Sequence, residues 1–277
     1  MAIRYPLRES VAELDRLRRQ HETWREPTEA LWRLAAFGTG QTILDLGCGP
    51  GLTSRDLAAI VGPSGRVVAV DASRAATDAL REAVDRSELS NVDVVTGDVS
   101  GVDLSFCAPH GVFARWLFCY LPDPLGVLKH VARHLRPGGT IALLDYWNYL
   151  AIRTEPASPL FSAVYSAVYD SFRDAGGSLD VAGALPGHLV SAGFSVQHIE
   201  PVCAVGRPGS PVWRWLAEFQ ELYLPVLIER AYLTRGVVDE YAAWWSGLET
   251  TDGGFLFAPP MLSIVAAKAP SAPARYP

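Results

Sequence analysis

A short apolar segment that runs into a glycine cluster constrains the fold of this chain more than any other feature. Residues 43–54 read ILDLGCGPGLTS, so the apolar run stops at Asp45 and glycines follow at Gly47, Gly49 and Gly51. Glycine allows tight turns and lets a ligand lie against the bare backbone. A glycine turn between a strand and a helix also leaves backbone amides free to bind polar groups. The segment therefore predicts a ligand-binding turn after the first strand of a sheet.

This turn opens a regular alternation of apolar strands and amphipathic helices. The predicted strands are TILDLG, RVVAVDA, VDVVTGD, VFARWLF and TIALLDY, and the helices between them cover about 52–60, 75–87 and 125–135. Near-continuous apolar strands with crossover helices indicate a parallel sheet that is covered on both faces. We therefore predict an α/β fold, with a later strand at 194–205 and a last one, FLFAPPMLSIVAAK, that Pro259 and Pro260 interrupt.

Helical segments flank this core. Residues 11–37 place apolar side chains at helical spacing, and Pro27 ends one helix and starts the next. Aromatic-rich helices are predicted at 160–175, 185–192, 211–230 and 237–245. We predict an N-terminal helical cover over 1–40, a main domain over 41–268 with helical insertions at about 150–192 and 211–247, and a disordered tail over 269–277.

Composition narrows the function classes. The formal charge of −6 and a pI of about 5.5 argue against a dedicated nucleic-acid binder. The cysteines form no CxxC pair and no zinc spacing, which predicts free thiols in a reducing compartment and no metal site. The N-terminus has no apolar signal core and no run is long enough for a membrane span, so we expect a soluble cytoplasmic protein. Its oligomeric state stays open, with a homodimer as one alternative.

Acidic residues distinguish the turn from other nucleotide-binding loops. Counted from Gly47 as G-x-G-x-x-G, the third glycine position holds Leu52, which disfavours a nicotinamide-binding loop. Asp45 suits a cationic ammonium group better than a pyrophosphate. The second strand ends at Asp71, where an acid accepts hydrogen bonds from a ribose diol. Asp98 follows the third strand, beside a pocket where an adenine amino group needs an acceptor. A helix cap for Asp71 and a turn for Asp98 are the structural alternatives.

In order and spacing, the segments ILDLGCGPG, VVAVDAS, GDV, FARWLFCYLPDP and LRPGGTIALLDY resemble the class I S-adenosylmethionine-dependent methyltransferases of small molecules. The resemblance is strong over about 20–146 and weak elsewhere. It implies a Rossmann-like, mostly parallel sheet of seven strands with the last antiparallel, helices on both faces, and helical insertions that cover the substrate. The ligand crevice would lie between the first and fourth strands, where the strand order reverses.

The resemblance also implies S-adenosylmethionine as cofactor and S-adenosylhomocysteine as product. It assigns the methionine part to Asp45, Gly47 and Gly49, the ribose to Asp71, and the adenine to Asp98 with the backbone of Val99. The remaining cofactor-binding candidates adjoin these motifs, follow the fourth strand or lie on the N-terminal helix: Cys48, Gly51, Ala72, Arg115 and Gln20. Tyr5 is a further candidate residue of the cover.

Arg115 and the aromatic residues after it would lie on the acceptor side of the crevice. Arg115 either binds a carboxylate of cofactor or substrate or forms a buried ion pair; metal-dependent relatives carry an acid there, which speaks against a metal ion. Trp116 and Tyr120 are candidates to face the sulfonium or the acceptor, with core packing as the alternative for Trp116. Tyr149 and Tyr165 complete the substrate-binding set.

The catalytic candidates are Asp145 and Tyr146, as a base or an orienting group, and His188. A plain surface or core position is the alternative for His188. The many rings in the insertions favour an apolar pocket, although a stripe such as Trp215 and Phe219 is also typical of a core.

We therefore predict methyl transfer to an oxygen or carbon atom, ahead of nitrogen, of an apolar or aromatic small molecule. Three alternatives remain: an enzyme of the same fold that uses the sulfonium as an electrostatic aid for cyclisation or rearrangement, a nicotinamide-dependent reductase, and a non-catalytic binding module.

Overall fold

The computed structural model describes residues 11–86 and 89–269; Tyr5, the last residue of the helix predicted at 75–87, and nearly all of the predicted tail lie outside them. The described chain begins with two helices, α1 (Val11–Thr23) and α2 (Arg25–Leu34). Pro27 lies in the first turn of α2, where its missing amide breaks no helical hydrogen bond. The predicted pair of N-terminal helices is confirmed.

The regular part of the fold alternates strands and helices as predicted. Its elements are β1 (Thr42–Leu46), α3 (Leu52–Val61), β2 (Arg66–Asp71), α4 (Arg74–Arg86), β3 (Val92–Thr96), β4 (Gly111–Arg115), α5 (Pro124–His134) and β5 (Thr140–Tyr146). These five strands pair with one another in parallel. Helices cover both faces of such a sheet, which explains why its strands read as continuous apolar runs.

The rest of the chain adds helices and strands. They are β6 (Arg153–Glu155), α6 (Pro159–Asp174), α7 (Leu185–Ser191), β7 (Phe194–Val202), β8 (Val205–Gly206), α8 (Pro211–Glu229), α9 (Arg235–Glu249), β9 (Phe255–Phe257) and β10 (Met261–Lys268). Helices α6, α8 and α9 pack on one another, and α1 packs on α8. Helix α7 instead packs on α5 and β7, so it belongs to the layers around the sheet. The predicted insertion bounds of about 150–192 stay a prediction.

The main sheet has seven strands in the order β3-β2-β1-β4-β5-β10-β7. The last strand of the chain, β10, runs antiparallel to both β5 and β7. This confirms the predicted seven-stranded sheet with an antiparallel last strand. The strand order reverses between β1 and β4, and the crevice of such a sheet lies at the carboxyl ends of those two strands.

A second, three-stranded sheet was not predicted. It consists of β6, β9 and β8 in that order, and both pairs are antiparallel. The prediction of one interrupted strand at FLFAPPMLSIVAAK was wrong, because its two halves, β9 and β10, lie in different sheets. Pro259 and Pro260 separate them, and proline has no amide to donate to a ladder.

Within residues 11–86 and 89–269, no helix combines the length and apolar character that a bilayer span requires. The four cysteines are free thiols: Cys48, Cys107 and Cys119 are buried and Cys203 is exposed. A cytoplasmic location and a homodimer stay predictions.

Candidate active site

The glycine turn joins β1 to α3 and takes backbone angles that favour glycine. Gly47, Gly49 and Gly51 have φ values of +67°, +54° and +78°. A Cβ on Gly51 would lie 2.1 Å from a methyl carbon of Leu80, and one on Gly47 would lie 2.9 Å from the Leu117 side chain. A Cβ on Gly49 would meet no atom within 4 Å. Packing therefore requires two of the glycines, whereas Gly49 leaves open space beside the turn.

Asp71, the last residue of β2, is bonded directly to this turn. The amide of Gly49 donates to its Oδ2 at 2.8 Å, and the amide of Ser73 donates to its Oδ1 at 2.8 Å. A carboxylate has about four acceptor positions, so each oxygen keeps capacity for a further donor. Ser73 accepts from the amide of Ala76 at the start of α4, so Ser73 takes the capping role that was the alternative for Asp71. Ala72 is exposed beside it.

Asp45 lies beneath the turn. It is 1% exposed, and the hydroxyls of Thr53 and Ser54 donate to its Oδ2 at 2.9 and 2.6 Å. Burial raises the pKa of Asp45 to about 6, although both hydroxyl bonds act in the opposite direction. Asp45 therefore fixes the first turn of α3, and its contact with an ammonium group stays a prediction. Burial also raises the pKa of the Cys48 thiol, and a role of Cys48 in cofactor binding stays a prediction.

Asp98 and Val99 follow β3 at the same edge of the sheet. The amide and hydroxyl of Ser100 donate to Oδ1 of Asp98 at 2.8 and 2.7 Å, and these bonds lower its pKa. Asp98 therefore does stabilise a local turn, which was the structural alternative for this residue. Among the described residues, neither Oδ2 of Asp98 nor the amide of Val99 has a hydrogen-bond partner. Both groups can still bind a ligand.

Arg115 ends β4 and holds the N-terminal helices to the sheet. Its Nη1 donates to the hydroxyl of Thr28 at 2.9 Å, and its Nη2 donates to Nδ1 of His21 at 3.1 Å. Burial lowers the pKa of Arg115 to about 10, so the side chain remains a cation at neutral pH. Within the described residues it forms no direct ion pair, so the buried ion pair stays an untested alternative. Binding of a carboxylate stays a prediction.

Trp116 follows Arg115 in a strained conformation. Its φ is +52°, an outlier for a bulky residue, and such strain concentrates at functional sites. The Arg115 guanidinium carbon lies 4.9 Å from the centre of its ring. Its ring stacks with those of Trp215 and Tyr146, at centroid distances of 6.2 and 6.1 Å, and Trp24 meets it edge-on. We call Trp24, Trp116, Tyr146 and Trp215 the aromatic cluster.

The catalytic candidates lie at the end of β5 and on α7. Asp145 is 1% exposed and accepts from the amides of Tyr146 and Cys119 at 2.9 and 3.2 Å. Burial raises its pKa to about 6. His188 lies on α7, and its buried Nδ1 has no hydrogen-bond partner within the described part of the chain. A proton-transfer role for Asp145, Tyr146 or His188 stays a prediction.

The other substrate-binding candidates pack among the helices of the cover. Tyr149 and Tyr165 are buried, and the Tyr165 hydroxyl accepts from Gln220. Tyr120 packs on Phe172 with a centroid distance of 5.5 Å. These contacts show ordered packing, and they leave a substrate-binding role untested.

Gln20 lies on α1, and its Oε1 accepts from Arg16 at 2.9 Å. Two cavities of about 250 and 200 Å³ lie together beside α6, and both are lined by Arg153 and Ser162. Tyr165 lines the second cavity, and neither cavity touches the glycine turn.

Comparison with known proteins agrees with this geometry. Residues 43–139 match a family model described as a methyltransferase domain. This segment spans the glycine turn, Asp71 and Asp98 and reaches the turn before β5. The match identifies residues 43–139 as part of a methyltransferase domain, and the seven-stranded sheet agrees with the Rossmann-like fold predicted for the class I S-adenosylmethionine-dependent methyltransferases. The cofactor of this class is S-adenosylmethionine.

Individual relatives cover parts of the chain. Demethylmenaquinone methyltransferase of Lactococcus lactis is 27% identical over 151 residues, which are 54% of this chain and 56% of the relative. The chain spans about half the length of the curated relatives it matches.

Two solved structures show a similar fold. A putative methyltransferase from Bacillus halodurans has a TM-score of 0.60 at 17% identity and covers 87% of this chain and 98% of its own. The (4+2)-cyclase SpnF has a TM-score of 0.58 at 16% identity and covers 89% of this chain and 82% of its own.

Proposed function

We propose that this chain transfers the methyl group of S-adenosylmethionine to an oxygen or carbon atom of an apolar or aromatic small molecule. The observation that carries the proposal is the hydrogen bond between the Gly49 amide and the Asp71 carboxylate. There an amide of the glycine turn holds the carboxylate at the end of β2, and open space remains beside Gly49. This hydrogen bond lies next to the point where the strand order reverses, which is where ligands bind in such sheets.

The residues present fit this cofactor. Asp71 keeps acceptor capacity for the two ribose hydroxyls. Asp98 Oδ2 and the Val99 amide offer one acceptor and one donor, as an adenine edge requires. A side chain on Gly49 would fill the space beside the turn. When bound, the cofactor supplies an electrophilic methyl group on a sulfonium.

The chain itself contributes position and electrostatics. Trp24, between α1 and α2, and Trp215, on α8, bring aromatic faces to the end of β4. Aromatic faces stabilise a nearby positive charge, and a covered site excludes water and aligns the reactants. For a hydroxyl or carbon acceptor, we assign the proton-accepting role to Asp145 or Tyr146, at the end of β5, or to His188. Positioning supplies most of the catalysis in this proposal.

The acceptor class rests on the rings of the cover and on one relative. Rings from α6, α8 and α9 pack together beside the aromatic cluster; they include Phe161, Tyr165, Trp213, Tyr241, Trp244 and Trp245. An apolar lining of this kind suits an apolar or ring-containing molecule. The name of the Lactococcus lactis relative, demethylmenaquinone methyltransferase, supports a small-molecule acceptor.

Cyclisation or rearrangement without methyl transfer is the second candidate. The structural likeness to the cyclase SpnF favours it. In this candidate the bound sulfonium acts only as a fixed positive charge.

One experiment separates the two candidates. The protein is incubated with S-adenosylmethionine and a panel of aromatic acceptors, and S-adenosylhomocysteine and methylated products are measured by mass spectrometry. We expect both in equal amounts. Conversion of an acceptor to an isomer without S-adenosylhomocysteine would support cyclisation instead. Failure to bind S-adenosylmethionine would reject both candidates and favour a reductase or a binding module.

A further inference from the structure

A chain of polar contacts links four elements beside the crevice. Arg115 at the end of β4 donates to Nδ1 of His21 on α1 at 3.1 Å. Nε2 of His21 lies 2.9 Å from a carboxylate oxygen of Asp56 on α3, and Arg25 on α2 lies 3.2 Å from the same oxygen. His21 is 3% exposed, so this imidazole connects the two charged groups away from water. The sequence gives no sign of the link, because Asp56 and Arg115 lie 35 and 94 residues from His21.

The partners of His21 determine its protonation. A guanidinium has donors and no acceptor, so Nδ1 must carry a lone pair to bond with Arg115. A carboxylate only accepts, so Nε2 must carry the proton that bonds with Asp56. In this arrangement Nδ1 of His21 accepts and Nε2 donates.

Charged groups lie at both ends of the His21 contacts. Arg115 bonds to one ring nitrogen, and Asp56, at the other nitrogen, also pairs with Arg25. Burial acts to raise the pKa of Asp56, but the bond from His21 and the nearby charges outweigh it, and the pKa is lower than usual. The charge of Asp45 interacts favourably with that of Arg115. The imidazole of His21 thus connects the Asp56 carboxylate to the Arg115 guanidinium, and these two charged groups do not contact each other directly.

We propose that His21 is a positioning residue of this active site. By accepting from Arg115 and donating to Asp56, it fixes the Arg115 guanidinium beneath the N-terminal helices and against the ring of Trp116. The assignment rests on the proposed function, since the crevice edge that Arg115 and Trp116 form is the edge assigned to cofactor and acceptor. His21 contacts neither ligand in this role and acts through Arg115.

Two substitutions of His21 each remove one of its two hydrogen bonds and keep the other. The side-chain oxygen of His21→Asn takes the place of Nδ1 and can accept from Arg115, but the link to Asp56 is lost. The side-chain amide of His21→Gln reaches the place of Nε2 and can donate to Asp56, but the Arg115 acceptor is lost. Arg19→Gln is the matched control, because it breaks the pair that joins α1 to Glu218 of α8 without touching Arg115.

Calorimetry with S-adenosylhomocysteine and the unfolding midpoint are measured for each protein. We expect His21→Gln to weaken binding about tenfold, the loss of one hydrogen bond to a charged group. His21→Asn should stay within about threefold of the wild type, and Arg19→Gln should bind unchanged. Equal weakening by both His21 variants, or weakening that follows only the unfolding midpoint, would overturn the positioning role.

A spectroscopic measurement tests the link in the wild-type protein without cofactor. Nitrogen-15 NMR of the histidine rings at neutral pH should show His21 protonated on Nε2 alone, with its signal assigned by loss in His21→Asn. Protonation on Nδ1, or on both nitrogens, would overturn the proposal. Because this result needs no ligand, failure of the protein to bind S-adenosylhomocysteine would reject the proposed function and leave the NMR result to decide on His21.

Discussion

At the scale of single residues, Gly51 and Gly49 of the glycine turn have different physical roles, and alanine substitutions distinguish these roles. We expect Gly51→Ala to lower the free energy of unfolding by about 3 kcal/mol, because left-handed strain adds to a collision with Leu80. Gly49→Ala should cost only about 1 kcal/mol, since strain alone acts there, but its Cβ occupies the space beside the turn. Urea unfolding and calorimetry with S-adenosylhomocysteine measure the two effects. If folded Gly49→Ala binds S-adenosylhomocysteine as tightly as the wild type, the cofactor does not occupy the space beside Gly49.

Asp45 makes stability depend on pH. Its pKa is about 6 in the fold against an ordinary 3.8, so the folded state holds the proton more tightly than the unfolded state. The stability this group contributes is complete below pH 3.8 and is lost as the pH rises through about 6. Between about pH 5 and 7.5, the wild type should lose about 1 kcal/mol more free energy of unfolding than Asp45→Asn. The check is urea unfolding at both pH values; parallel profiles would show that Asp45 does not titrate this way.

At the scale of elements, one buried hydroxyl connects α2 to the sheet. Thr28 accepts from Arg115 at 2.9 Å and donates to the carbonyl of Trp24 at 2.6 Å. Thr28→Val keeps the shape and removes both bonds, so we expect a loss of about 2 kcal/mol in the free energy of unfolding and faster amide exchange in α1 and α2. Hydrogen-exchange mass spectrometry localises the change.

The control for this prediction is the exposed pair between Arg25 and Glu22, at 2.8 Å in the same region. Glu22→Gln should change stability by less than about 0.5 kcal/mol, since exposed pairs contribute little. If amide exchange in Thr28→Val becomes faster by the same factor across the whole chain, the Thr28 hydroxyl does not specifically hold α1 and α2.

Elements with strong periodicity could be predicted from the sequence, and short ones could not. Apolar runs and helical spacing indicated β1 to β5 and their crossover helices to within a few residues, because each element carries its own pattern over one or two turns or strand repeats. The three-residue strands β6 and β9 are too short for such a pattern. Their pairing depends on residues about a hundred positions apart.

At the scale of the whole molecule, local chemistry could be predicted but long-range partners could not. The turn glycines and Asp71 belong to contiguous motifs, and the structure brings Gly49 and Asp71 into contact. The sequence predicts Arg115 as a candidate binding residue, yet its partners His21 and Thr28 lie on helices that pack against the sheet only after folding. The left-handed backbone of Trp116 likewise follows from its tertiary surroundings, since no local rule places tryptophan there.

Ligand binding should stabilise the whole fold, because the proposed site joins three strand ends and the N-terminal helices. A ligand that binds only the folded state adds about 2.7 kcal/mol at one hundred times its Kd. We expect S-adenosylhomocysteine to raise the free energy of unfolding of the wild type by this amount. In Asp71→Ala, about half of this gain should remain at the same concentration, because loss of the ribose acceptor weakens binding about tenfold. Asp93→Ala is the control, since this acid pairs with Arg66 at the opposite end of β2 from Asp71. An equal gain in all three proteins would place the ligand away from Asp71.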